Sequence, residues 1–348
     1  MSTQRSRTKT ALRGLARGLA AVFLVSVCLS LSACSAKDDE PAVSPLARTV
    51  ATVDGWEVPY DLARGLFDAA LAASPDDPAT ALAETEREIA RMYAALSLLR
   101  DLGGDPFDQR TDRLADRLIE TDIYGGVVDG VTIEGCGSVF AYLEEIGRRG
   151  MTYEAARLMA RATVCRELLV ERATAEAEAD ESDERRAAVR DFAAGASCLH
   201  FSWVRTEKTY SDEMNERLLR YMTEEVYPAL STADTHEQLL RLLSVSFNPS
   251  EDPADRRAGY YVTAATLRDG YAALGEILPG MSPWDVSPVI ETQDAYCILV
   301  ALPKDAETFE RDYAVLRALL AQDEVYRELD RLAASLAVVW SERPAGAP

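Results

Sequence analysis

From Leu62 to Leu168 the apolar residues recur at spacings of three and four, and at Cys198 the spacing changes to two. Such a chain is committed to a long helical stretch followed by at least one half-buried strand. Leu62, Leu66, Ala69 and Ala70 mark a first helix. Leu82, Ile89, Met92, Tyr93, Leu96 and Leu99 mark a longer one that stops at Gly103-Gly104, and Leu114, Leu118 and Ile119 mark a third. Thr152 caps a helix through Ala156, Leu158, Met159, Ala162 and Leu168, whereas residues 171–190 carry few large apolar side chains and read as a solvated helix or connector. The run Cys198-Leu199-His200-Phe201-Ser202-Trp203-Val204 is strand-like. Helices are predicted over residues 211 to about 230 and 236–243, a short strand over 259–262, a short helix around Leu267 and Tyr271, and a last strand over 296–300. Residues 309–336 form a final amphipathic helix ending in Val338-Val339-Trp340. Ahead of all of these, residues 50–59 read as a strand, a turn at Asp54-Gly55 and a helix entered through Pro59. The fold class is therefore α+β, mostly helical, with a small antiparallel sheet.

The 348 residues are 48% hydrophobic and 27% charged, enough to bury a core and too apolar for a disordered chain. Lys plus Arg number 37 against 58 Asp plus Glu, and no basic patch is interleaved with aromatics, which argues against a nucleic-acid partner. His200 and His236 are the only histidines and no two cysteines stand at Cys-x-x-Cys spacing, so neither a metal nor a cofactor is expected.

Residues 1–33 read as a targeting segment: Arg5, Arg7, Lys9, Arg13 and Arg17 without an acid, then an apolar run over 19–31. That run falls short of the roughly 20 residues that span a bilayer. It ends in Leu31-Ser32-Ala33-Cys34, which resembles a bacterial lipobox and implies cleavage before Cys34 with a diacylglyceryl thioether on its sulfur. A signal peptide or membrane anchor with an incidental cysteine is the alternative. The mature chain carries 32 basic against 58 acidic residues, a formal charge of −26. Residues 34–48, with Asp38, Asp39, Glu40, Pro41 and Pro45, form a solvated tether that holds the body off anionic lipid on the extracytoplasmic side of the envelope membrane. Export leaves Cys136, Cys165, Cys198 and Cys297 in the body, with three possible pairings. Cys136 and Cys165 fall nearly level on the two arms of a helical hairpin turning at residues 147–151, so a bridge between them and two ordinary thiols both stand open.

The succession of elements resembles the parvulin-type peptidyl-prolyl isomerases, in the arrangement of exported PrsA-like and SurA-like foldases. Val53-Asp54-Gly55-Trp56-Glu57-Val58 resembles the family's Val-x-Gly-x-x-Val opening. Tyr142-Leu143 through Gly150-Met151-Thr152 resembles its "YL...GMT" hairpin, and Asp183-Glu184 leading to Phe192 resembles its connector. Cys198-Leu199-His200 resembles the first isomerase strand, residues 246–259 the polar loop ending in glycine, and Val286-Ser287-Pro288-Val289-Ile290-Glu291-Thr292 the run before the last strand. The resemblance implies a helical domain (49–195), an inserted parvulin-like antiparallel sheet domain (196–304), and a C-terminal helix (305–348) that returns to pack on the helical domain. It places His200, Ser246, Asn248 and Cys297 at the polar side of the site and Leu267 and Tyr271, four apart, at the apolar wall. Where relatives carry a second histidine in the last strand, this chain has Cys297, and where they carry a double glycine it has Ala258-Gly259.

Rotating an X-Pro bond crosses a barrier of about 18–20 kcal/mol set by amide resonance, and needs no nucleophile. An apolar grip on the proline ring with polar groups that favour the twisted amide suffices. Three readings follow for a lipid-anchored extracytoplasmic protein: a folding factor with weak isomerase activity on unfolded or exported polypeptides with X-Pro bonds, a catalytically inactive holdase or scaffold of the same fold, and, were the resemblance accidental, an acidic structural lipoprotein of the envelope. Cys297 is expected either as a thiol packed beside His200 or in a bridge to Cys198 on the neighbouring strand.

Overall fold

The computed structural model describes residues 48–128, 131–133, 135–209, 211–244, 258–263, 266–267, 272–292 and 295–348. Cys34, Ser246, Asn248 and Tyr271 lie outside them. The chain opens with strands β1 (Thr49–Val53) and β2 (Trp56–Pro59), then helices α1 (Tyr60–Ala73), α2 (Pro78–Asp101) and α3 (Gln109–Tyr124). A two-stranded sheet of β3 (Gly126–Val128) and β4 (Val131–Ile133) precedes α4 (Val139–Arg148), α5 (Tyr153–Ala179) and α6 (Asp183–Ala194). Next come β5 (Cys198–Glu207), α7 (Asp212–Tyr221), a π turn over Met222–Val226, α8 (Tyr227–Ser231) and α9 (His236–Ser244). The chain closes with β6 (Tyr260–Thr263), α10 (Ala272–Ile277), β7 (Ile290–Glu291), β8 (Ala295–Ala301), α11 (Ala306–Ser335) and β9 (Val339–Trp340). The fold is α+β and mostly helical, as the periodicities predict, and among the described residues no helix is long and apolar enough to cross a membrane.

Two compact units are present, one formed by Glu176–Asp323 and the other by 48–128, Thr132–Ala175 and Glu324–Pro348. In the helical unit, β1 pairs antiparallel with β2 through the Asp54-Gly55 turn, so the predicted strand and turn continue into a hairpin before the helix begins at Tyr60. Val339 and Trp340, read from sequence as the helix terminus, instead pair with Thr52 and Ala51 and add a third strand. The core gathers Val53, Val58, Leu62, Ile89, Tyr93, Leu96, Ile119, Cys165 and Leu329. Asp77, Asp108 and Ser138 each accept a backbone N–H at a helix start, satisfying donors that the first turn leaves orphaned.

The Gly150-Met151-Thr152 run has a physical account. Gly150, at φ 70°, follows the end of α4; its N–H donates to Gly147 O and the Met151 N–H donates to Ile146 O, the paired bonds of a helix stop that needs a left-handed residue. Met151 is buried against the bare Cα of Gly65. Thr152 Oγ1 then accepts from Ala155 N at 3.3 Å to start α5. Residues 171–190 resolve into the end of α5, a break, and α6 capped by Ser182.

In the second unit the strand order is β6-β5-β8-β7, antiparallel throughout. The sequence expectation placed the whole C-terminal helix on the helical domain; the structure divides it. Phe309, Leu316, Leu319 and Leu320 cluster with Val189, Phe192, Cys198 and Tyr261 of the sheet unit, whereas Val325, Leu329, Leu332 and Ala333 join the helical core. A 30-residue helix is about 45 Å long, more than one small core can cover.

Candidate functional site

Alternation along β5 and β8 sorts the candidate residues onto two faces. Leu199, Phe201 and Trp203 of β5 cluster with Cys297 and Leu299 of β8, Val262 of β6 and Leu267. The intervening residues turn the other way: Cys198 joins Tyr261 and α11, while Val204 joins Ile298, Val300 and Leu302 under α7–α9. His200 is of this second set, since its ring stacks on Tyr261 with centroids 4.0 Å apart and planes 7° from parallel. The structure therefore does not bring His200 and Cys297 together. The register pairs Cys297 with Arg205 and with Ile290, not with the histidine.

His200 is buried and its two ring nitrogens both meet main-chain carbonyls, Nδ1 at 2.7 Å from Pro303 O and Nε2 at 2.9 Å from Ala258 O. Burial pushes the imidazole below its ordinary pKa, against the pull of the two carbonyls and of Asp312. A neutral ring has one N–H, so it donates to one carbonyl at a time. The histidine thus ties the chain entering β6 to the chain leaving β8. Gly259 makes that closure possible: at φ 77° it lies in the left-handed region, and a Cβ there would meet Leu302 Cδ1, Phe201 O at 2.8 Å and His200 Nε2 at 3.0 Å. Around the ring, the Tyr261 hydroxyl donates to Asp312 Oδ2 at 2.9 Å, and Arg311 Nη2 is 2.7 Å from the same oxygen. Lys304 Nζ donates to the carbonyls of Gly195 and Cys198 at 2.8 and 2.7 Å. Sequence reasoning missed Tyr261, Asp312 and Lys304; the period-two placement of Tyr261 opposite His200 was the signal that could have found the first.

Leu267 is 1% exposed and sits within the Phe201, Trp203 and Leu299 core, so its side chain is spent on packing. No disulfide joins Cys136, Cys165, Cys198 and Cys297. A Cys198 to Cys297 bridge is excluded by the faces: adjacent strands put these sulfurs on opposite sides of the sheet. Cys136 is exposed and Cys165 buried in the helical core, and burial pushes the thiols of Cys165 and Cys198 up to about 12, which leaves them protonated and inert. The Val286–Thr292 run lies along the β8 edge as an isolated bridge at Val286 followed by the short β7. Val286 bridges Val300, Ser287 N donates to Leu299 O at 2.9 Å, and Leu299 N donates to Ser287 Oγ at 2.8 Å. Pro288, lacking an N–H, interrupts the ladder, which resumes at Ile290.

No family model matches the chain, and no curated protein matches it. Among solved structures it is similar to the foldase protein PrsA from Streptococcus pneumoniae str. Canada MDR_19A, over 83% of this chain and 93% of that one, at 12% identity and a TM-score of 0.32. A score that low leaves the function to be argued from this chain's own residues. Among the described residues no group of His, Cys, Asp and Glu is arranged to hold a metal ion.

The site's chemistry follows from the two faces. One face offers a packed apolar wall with the Cys297 sulfur; the other offers an imidazole committed to the backbone. Catalysis of amide rotation requires grip and polar stabilisation at one place, strongest in the transition state.

Proposed function

We propose that this chain is a lipid-anchored extracytoplasmic folding factor that holds unfolded or exported polypeptides, X-Pro segments among them, and that its sheet unit is laid out like a parvulin-type isomerase without appreciable turnover. One observation carries the reading: His200 is held by the carbonyls of Ala258 and Pro303 on the face opposite Leu267 and Cys297. An amide seated near Leu267 would find no imidazole there to favour its twisted form. Binding makes a smaller demand, since burial of apolar surface at about 25 cal/mol per Å² needs no such group.

A weak isomerase is the second reading. It is favoured by Leu267 and Cys297 sharing one cluster.

Holding is tested with a chemically denatured, proline-free client diluted into buffer with the mature chain. Stoichiometric suppression of light scattering, equal for a proline-containing client, supports the reading; scattering that proceeds as in buffer alone contradicts it. The anchor is tested by intact mass of membrane-extracted protein, where a diacylglyceryl increment on Cys34 is expected. Recovery of Cys34→Ala in the same fully membrane-bound state would overturn it.

A further inference from the structure

Large apolar side chains are exposed together at one place on the helical unit. Tyr124, the last residue of α3, is 63% exposed, and Phe140 on α4 is 78% exposed, with Val139 and Leu143 exposed beside it. Helix α4 does not need them for its core, because Tyr142 and Ile146 already turn inward. The backbone brings the two helix ends that carry them together: Cys136 N donates to Asp122 O at 2.9 Å and Gly137 N to Ile123 O at 2.7 Å, which sets the start of α4 beside the end of α3. Along α4, Val139 and Leu143 are four apart and Phe140 and Leu143 three apart, so they share a face.

The edge of this patch is acidic. Glu120 stands one turn before Tyr124, and Glu144 one turn after Phe140, both exposed. The nearby Arg148 and Arg149 are each held by Glu145 at 2.8 Å. Three occupants can be weighed by charge. A second copy would bring Glu120 and Glu144 against their own equivalents on a chain of net −26, and an anionic lipid surface would be repelled in the same way. A polypeptide whose apolar residues are flanked by Lys or Arg gains from both patch and edge.

We propose that the Tyr124, Val139, Phe140 and Leu143 surface docks apolar segments of unfolded polypeptides flanked by basic residues. This names the client class of the holding function proposed above and rests on it.

The test uses the mature full chain and two fluorescein-labelled peptides with one apolar centre, one flanked by lysines and one by glutamates, read by anisotropy. The lysine-flanked peptide is expected to bind, more weakly as salt rises, and at least about tenfold more tightly than the glutamate-flanked one. Phe140→Ser with Leu143→Ser should weaken it by about tenfold or more while the helical circular dichroism is unchanged. Glu120→Lys with Glu144→Lys, which leaves the apolar area intact, should reverse the preference between the peptides. Equal affinity for both peptides, or affinity untouched by both variants, overturns the proposal. So does a dimer in sedimentation that Phe140→Ser dissolves, or vesicle flotation with phosphatidylglycerol that Phe140→Ser abolishes. Wild type that suppresses client aggregation yet ignores both variants removes this surface and leaves the holding function standing; wild type that neither suppresses aggregation nor binds either peptide removes both.

Discussion

His200 is held by two contacts that a surface histidine lacks, the carbonyls of Ala258 and Pro303, and its burial beneath Tyr261 sets how it responds to pH. Its folded pKa is lowered, chiefly by burial, below the ordinary value of about 6.5. The unfolded chain therefore takes up a proton more readily than the folded one. The stability His200 contributes is fully present above the unfolded pKa and is lost as pH falls through it and toward the lower folded value. Urea unfolding of the sheet unit, followed at pH 8 and pH 5, should show a lower midpoint at pH 5, and His200→Gln should flatten that difference. His200→Ala should destabilise by about 2–3 kcal/mol at pH 8, through lost packing and a lost hydrogen bond. A midpoint that rises on acidification would mean that the ring is protonated in the fold, donating to both carbonyls at once.

Among the elements, the last turn of α3 carries a second titration. Burial pushes Asp122 up to about 6, with Arg149 opposing. A carboxyl raised in the folded state contributes stability that is complete below its unfolded pKa and is lost as pH rises toward 6. Asp122→Asn should therefore stabilise the helical unit at pH 7.5 by about 1–3 kcal/mol and have little effect at pH 4, as read by thermal unfolding. The long α11 gives a third prediction, because its two halves serve different cores. Leu320→Ala should lower hydrogen-exchange protection in β5 and β6, and Leu329→Ala in α2, each by about 2–4 kcal/mol where the unit opens cooperatively. Parallel loss of protection in both units from either substitution would contradict the division. Elements with a strong period were legible in the sequence: the α2 stripe from Leu82 to Leu99 and the alternation from Cys198 to Val204 both appear as read. What was not legible depended on partners distant along the chain. Nothing local in Val339-Trp340 marks a strand, which exists because Ala51 and Thr52 offer it an edge. Likewise, the faces of His200 and Cys297 depend on the register of β5 against β8, and a one-residue shift in that register would put both on one face.

For the whole molecule, charge and apolar exposure act together. Segment 176–323 holds 28 acidic against 14 basic residues, and the chain as a whole is acidic, so copies of the chain repel one another. That repulsion opposes the self-association that an exposed apolar surface such as the one around Phe140 otherwise invites. On the proposed function, polypeptides are held without turning of their proline bonds. Its most direct test is the isomerisation rate of a short X-Pro peptide, followed in the same preparation of mature chain that suppresses client aggregation. The spontaneous rate within error is expected for wild type, and the same rate for His200→Ala and for Leu267→Ala. A rate well above spontaneous that Leu267→Ala returns to background would contradict it and establish the sheet unit as a working isomerase.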